Sequence, residues 1–158
     1  MKIYFSASRF YREEYKKNYE SIDKILEEKS ATVFDSSKLR SVPLGFEMPD
    51  FEKKKIYKEI TKMMDKSDLC VFEASYPSTL HIGHEITLAM EKNKPVVVLY
   101  VKGREPILFR GIDDKKVWWV EYESNNLEEK LRSALDEAEK NFDVRFNFFV
   151  SPKILSYL

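Results

Sequence analysis

The sequence predicts an α/β domain, a three-layer α/β/α sandwich on a parallel sheet of flavodoxin-like or Rossmann-like type. Three observations carry this. Short β-type runs alternate with amphipathic helical segments along the chain, the pattern of a parallel sheet with crossover helices. Two of the runs, around Leu69–Glu73 and Pro95–Val101, are almost continuously apolar, as strands covered on both faces must be. The chain has 158 residues, 43% of them hydrophobic and 34% charged, enough for one buried core and too apolar for a disordered chain.

Lys2 to Ser6 is the first predicted strand. Tyr11, Tyr15, Tyr19, Ile22 and Leu26 follow at spacings of three and four, the apolar stripe of a helix. Ala31 to Phe34 reads as a second strand. Pro43, Gly45 and Pro49 punctuate a loop from Asp35 to Pro49, a length associated with lids and binding segments. Asp50 is placed to cap a helix whose apolar face is Ile56, Ile60, Met63 and Met64. After the central strand Leu69–Glu73, the loop Ala74 to Leu80 leads to a helix from about His81 to Lys92. Val117 to Val120 is expected as an edge strand. Asn125 and Glu128 form a capping box for a last helix through Leu127, Leu131, Leu135 and Ala138, ending near Lys140. The domain is thus residues 1–141, followed by an aromatic tail, residues 142–158. That tail carries Phe142, Val144, Phe146, Phe148, Phe149, Val150, Ile154, Leu155, Tyr157 and Leu158, more apolar surface than water tolerates without a partner surface. It is expected to pack on a neighbouring subunit.

Composition excludes several classes. Lysine plus arginine equal aspartate plus glutamate at 27 each, so no global field favours nucleic acid. No apolar run approaches the ~20 residues of a membrane span. Met1-Lys2-Ile3-Tyr4-Phe5 leads straight into a strand without the extended apolar region of a secretory signal, and a cytoplasmic setting is the expectation. Cys70, the one cysteine, can form no intrachain disulfide and reads as a buried strand residue. Neither a Walker sequence nor G-x-G-x-x-G is present, which argues against an NTPase or a nicotinamide enzyme.

In open α/β sheets ligands bind beyond the carboxyl ends of the strands. Two loops leave strand ends with suitable groups: Ser6-Ala7-Ser8-Arg9 and Ser75-Tyr76-Pro77-Ser78-Thr79. Their hydroxyls, backbone N–H groups and arginine suit a sugar or a phosphate, and serine is equally a turn former. The sharper signal is His81-Ile82-Gly83-His84-Glu85-Ile86. On a helical wheel Ile82, Ile86, Ala89 and Met90 form the buried face, and Glu85 falls beside it in the first turns. A carboxylate there faces the crevice, with the helix dipole favouring its ionised form, as a nucleophile at a sugar carbon requires. Acidic residues are also common in first helical turns with no chemistry attached. His81 and His84 could hold a metal together, but the wheel turns His84 towards solvent and the chain has no third histidine.

At these residues the chain resembles the nucleoside 2-deoxyribosyltransferase family, which includes the deoxynucleoside 5′-monophosphate N-hydrolases. Ile3-Tyr4-Phe5-Ser6-Ala7-Ser8 is similar to the family's first strand and turn, and Asp68-Leu69-Cys70-Val71-Phe72-Glu73 to the strand before its active-site loop. Pro77-Ser78, Gly83-His84-Glu85, Ala89 and Lys94-Pro95-Val96 resemble its most diagnostic stretch, and Arg145-Phe146-Asn147-Phe148 the tail of the transferase branch.

The resemblance implies a flavodoxin-like subunit in a homodimer or higher homo-oligomer, acting on a small deoxynucleoside or deoxynucleotide without metal or organic cofactor. It implies that Glu85 attacks the anomeric carbon and that Tyr4 orients it. It also implies that Ser6, Ser8, Arg9, Pro77, Ser78 and Gly83 line the substrate site, with Ser8, Arg9 and Ser78 where a 5′-phosphate would bind. One position departs from the pattern. The family's aspartate on the preceding helix, which helps to protonate the leaving base, corresponds to Ile60, with Glu59 beside it as the candidate replacement. A one-residue offset turns a side chain by about 100°. Two other readings fit: a nucleotide-binding module with little turnover, and a NAD-cleaving glycohydrolase.

Overall fold

The structure, a computed structural model, describes residues 1–8, 13–36, 48–77 and 80–149, the last eight of these for their backbone only. Five strands form one wholly parallel sheet: β1 (Lys2–Ala7), β2 (Thr32–Asp35), β3 (Leu69–Glu73), β4 (Val96–Val101) and β5 (Val117–Tyr122). Their spatial order is β2-β1-β3-β4-β5. This is the flavodoxin-like order, whose direction of winding reverses between β1 and β3. The predicted central strands and the edge strand are all present. β5 runs two residues beyond the expected Val120, to Tyr122.

Side chains alternate across each strand, so the sheet builds two cores. On one face Ile3, Phe5, Leu69, Val71, Val97, Leu99, Val120 and Tyr122 pack against α1 (Lys16–Lys29) and α5 (Leu127–Phe149). The stripe Tyr19, Ile22 and Leu26 is buried there, joined by Leu127, Leu131, Leu135 and Ala138. On the other face Tyr4, Cys70, Phe72, Val96, Val98 and Val117 meet α2 (Asp50–Lys66) and α3 (Leu80–Glu91) through Ile60, Met64, Ile82, Ile86 and Ala89. Cys70 is fully buried, and burial pushes its thiol up to about 12, far from a nucleophile.

Several element boundaries differ from expectation; α1 begins at Lys16, so Tyr15 of the expected stripe precedes it and Tyr11 lies outside the described residues. Asp50 does not cap α2: the cap position is Pro49, and Asp50, already in the first turn, pairs with Lys53 at 3.0 Å. Its charge complements the helix dipole instead of closing the helix end. The last helix starts at Leu127, one residue after the capping-box register would place it, and Asn126 Oδ1 accepts the Glu123 N–H at 2.8 Å to close the preceding turn. It also continues past Lys140 to Phe149, because nothing in Asn141–Phe149 is a proline or glycine to stop it. The tail beyond Phe149 lies outside the described residues. A one-turn helix, α4 (Ile107–Arg110), follows β4 and has no counterpart in the sequence pattern. Among the described residues no helix is long and apolar enough to cross a membrane.

Candidate active site

The winding reversal puts the crevice where the β1 and β3 strand ends diverge, and two of the three predicted catalytic side chains, Tyr4 and Glu85, come from the elements beside it. Tyr4 is on β1. Glu85 is on α3, in the second turn after the β3–α3 loop. Eighty-one positions apart in sequence, they meet in a hydrogen bond: the Tyr4 hydroxyl donates to Glu85 Oε2 at 2.8 Å. Tyr4 is wholly buried and Glu85 is 2% exposed. Burial pushes the Tyr4 phenol well above its usual range, the Glu85 charge adds to this, and a hydrogen bond with Ser36 opposes it. Tyr4 is therefore a firm donor, with its ring fixed against Phe72 at 5.9 Å between centroids.

The helical wheel is correct about Ile82, Ile86 and Ala89, which are buried. It understates Glu85, which is inside with them. Gly83 shares that face because the Phe109 ring of α4 lies over it. A Cβ there would come within 2.4 Å of Phe109 Cζ, so only glycine fits with the ring in place. His84 is exposed and stacks on Tyr57 of α2, 5.8 Å between centroids. Among the described residues no group of three or more histidine, cysteine, aspartate or glutamate side chains could hold a metal ion.

Ser6 is buried and accepts a hydrogen bond from Ser36 at 2.9 Å. Ser36 follows the last residue of β2, so its approach to Ser6 and Tyr4 depends on the strand pairing Tyr4 with Phe34 and Phe5 with Asp35. Nothing local in the sequence marks Ser36. Ser8 is 4% exposed; its carbonyl accepts from the Tyr19 hydroxyl at 3.2 Å, and its own hydroxyl is buried without a hydrogen-bond partner among the described residues. Pro77 is exposed at the edge of the β3–α3 loop. Arg9 and Ser78 lie outside the described residues.

On α2 it is Ile60, 5% exposed, that enters the core containing Tyr4, while Glu59 is half-buried beside it. The helix register is thus the regular one, and no shift carries Glu59 into the Ile60 position.

A second buried carboxylate was not foreseen. Glu73 ends β3 at 1% exposure, on the sheet face opposite Glu85. It accepts hydrogen bonds from Tyr19 and Tyr122, both at 3.2 Å, and from Ser75. Burial raises its pKa, and these three hydroxyls oppose the rise. The one sequence signal was a charged residue closing an otherwise apolar strand.

No protein-family model matches the chain, and no curated relative matches its sequence. Solved structures do share its architecture. A CMP N-glycosidase from Clostridium botulinum superposes with a TM-score of 0.58 at 18% identity, over 84% of this chain and 98% of that one. A 2-deoxyribosyltransferase from Bacillus psychrosaccharolyticus gives 0.57 at 18% identity, over 81% of this chain and 90% of the other. A conserved protein from Enterococcus faecalis V583 gives 0.58 at 19%, over 84% and 98%. At such identities the likeness is one of fold, and the fold is the one that an N-glycosidase and a deoxyribosyltransferase have in common, as the sequence resemblance implies.

Proposed function

We propose that this protein cleaves or exchanges the N-glycosidic bond of a 2′-deoxynucleoside or its 5′-monophosphate, with Glu85 as nucleophile. The observation that carries this reading is the buried Tyr4–Glu85 hydrogen bond beside the winding reversal of the sheet. It supplies an oriented carboxylate in a water-poor setting, where a developing positive charge on a sugar is strongly stabilised. The shared fold with a CMP N-glycosidase and a 2-deoxyribosyltransferase supports the same chemistry.

In the first step a Glu85 oxygen bonds to C1′ as the bond from C1′ to the base nitrogen breaks. The base leaves with that electron pair and takes up a proton. In the second step the oxygen of water, or a nitrogen of a second base, attacks C1′, releases the Glu85 carboxylate and gives up its proton to solvent. Water gives the free sugar and a second base gives a new nucleoside. Ser6 and Ser8 are assigned to the sugar or its 5′-substituent. Arg9 and Ser78 are assigned to a 5′-phosphate from the sequence alone, as is Pro77 to the site wall. The assembly is taken as a homo-oligomer, with residues 142–158 packing on a neighbour, and the setting as cytoplasmic.

The test is a panel of the four deoxynucleosides and their four 5′-monophosphates, with and without adenine as acceptor, followed by chromatography of free and exchanged base. Release of base without acceptor identifies a hydrolase, and exchange identifies a transferase. A second reading, a nucleotide-binding module with little turnover, is favoured by one observation: Ile60 occupies the core position on α2 and Glu59 does not. Binding of a panel compound with no base released would establish it.

A further inference from the structure

Glu73 sits where the ends of β1 and β3 beside the candidate site can be tied together. Through Ser75 it holds the β3–α3 loop, and the Ser75 hydroxyl oxygen in turn accepts the Val101 N–H at 2.8 Å. The neighbouring Tyr76 N–H donates to the Arg104 carbonyl at 2.7 Å, so the start of this loop is fixed against the end of β4. Through Tyr19 it holds Ser8, just after β1, because the Tyr19 hydroxyl also reaches the Ser8 carbonyl. The β3–α3 loop leads to Glu85.

The proton count around Tyr19 indicates the charge state. A phenol has one proton, yet Tyr19 faces two acceptors, Ser8 O and Glu73 Oε2, both at 3.2 Å and both longer than an ordinary O–H···O bond. If Glu73 carries a proton on Oε2, that O–H donates to the Tyr19 oxygen and Tyr19 donates to Ser8, so each acceptor has its own proton. Glu73 Oε1 still accepts from Ser75 and Tyr122. Among the described residues the titratable groups facing Glu73 are the phenols Tyr19 and Tyr15 from α1 and its entry and Tyr122 from β5, with Glu14 and Arg104 beyond Tyr15. Its β1 and β4 neighbours in register are Ala7 and Leu99. Among the described residues none of its hydrogen-bond partners is a cation, so only hydroxyl and backbone hydrogen bonds offset the cost of burying a carboxylate charge.

We propose that Glu73 is a positioning residue: a neutral carboxylic acid whose proton completes the chain Glu73–Tyr19–Ser8 and fixes Ser8, just after β1, and Ser75, just after β3 on the way to Glu85. Its role in positioning rests on the N-glycosidic reading of Glu85; its charge state does not.

Two measurements test it. The first is urea unfolding of the wild type and Glu73→Gln from about pH 5 to about pH 8, since glutamine can donate and accept as the neutral acid does. A folded-state pKa above the unfolded one means that the unfolded chain ionises first. The wild type then loses stability as pH rises through that window, and Glu73→Gln does not. A wild-type advantage that stays level or grows with pH overturns the neutral acid.

The second is steady-state kinetics on the best-cleaved deoxynucleoside or 5′-monophosphate of the panel. Tyr19→Phe, which unties only Ser8, raises KM by about fivefold with little change in kcat. Glu73→Leu, which unties both Ser8 and Ser75, lowers kcat as well, by up to about a hundredfold for a misplacement near 1 Å. Glu73→Gln restores most of both. Equal losses in Glu73→Leu and Glu73→Gln, or an unchanged KM in Tyr19→Phe, overturn the positioning role. If no panel compound is cleaved, the N-glycosidic reading fails and the positioning role fails with it, while the pH series still decides the charge state.

Discussion

Tyr4 and Glu85 meet through a single hydrogen bond whose donor is buried and whose ring is packed, so the bond can be removed without disturbing the core. Tyr4→Phe keeps the ring against Phe72 and deletes the hydroxyl, with its 2.8 Å bond to Glu85 and its contact with Ser36. The expected outcome is a fall in kcat of about ten- to a hundredfold with KM little changed, the size of one hydrogen bond to a charged group. Unchanged kcat would show that the phenol does not orient the carboxylate. Glu85 was legible in the sequence because a carboxylate at the start of a helix just after a strand-end loop is a local pattern. Ser36 and Glu73 were not legible. Ser36 matters through strand pairing with β1, and Glu73 through partners on α1 and β5, relations that periodicity does not encode.

Helix α3 owes its position partly to Gly83, which admits the Phe109 ring. Gly83→Ala puts a methyl group into that ring and is expected to cost about 1–3 kcal/mol in urea unfolding, the usual range for overpacking. Adding Phe109→Ala should remove the clash, so the double variant shows less than the summed loss. Simple additivity of the two would mean that the ring and the glycine do not share the space. At this scale the sequence located strands better than helix ends. An apolar run such as Val96–Val101 names itself, whereas the start of α2 turned on whether Pro49 or Asp50 took the cap. The end of α5 was placed too early because the aromatic residues after Lys140 were assigned to a tail rather than to more helix.

Across the whole molecule stability resides in the two faces of the sheet and not in the charges that decorate them. Leu131→Ala, fully buried between α5 and the sheet, is expected to cost about 2–5 kcal/mol in urea unfolding. Arg132, its neighbour, bridges Glu28 and Glu128 on the exposed side of the same helix, and Arg132→Ala should leave the unfolding midpoint nearly unchanged. Comparable losses in both would mean that the surface network holds α1 to α5. The strand order was not written in any single run, but alternation of strands and helices implied a parallel sheet, and a parallel sheet with two covered faces restricts the site to the strand ends.

The account turns on Glu85. The direct measurement is the rate of free-base release by Glu85→Gln beside the wild type, on the best-cleaved panel compound, with circular dichroism confirming the fold. The predicted result is a native spectrum, retained binding of that compound, and a rate lower by on the order of 10³-fold or more. A folded Glu85→Gln protein that releases base at the wild-type rate would contradict it.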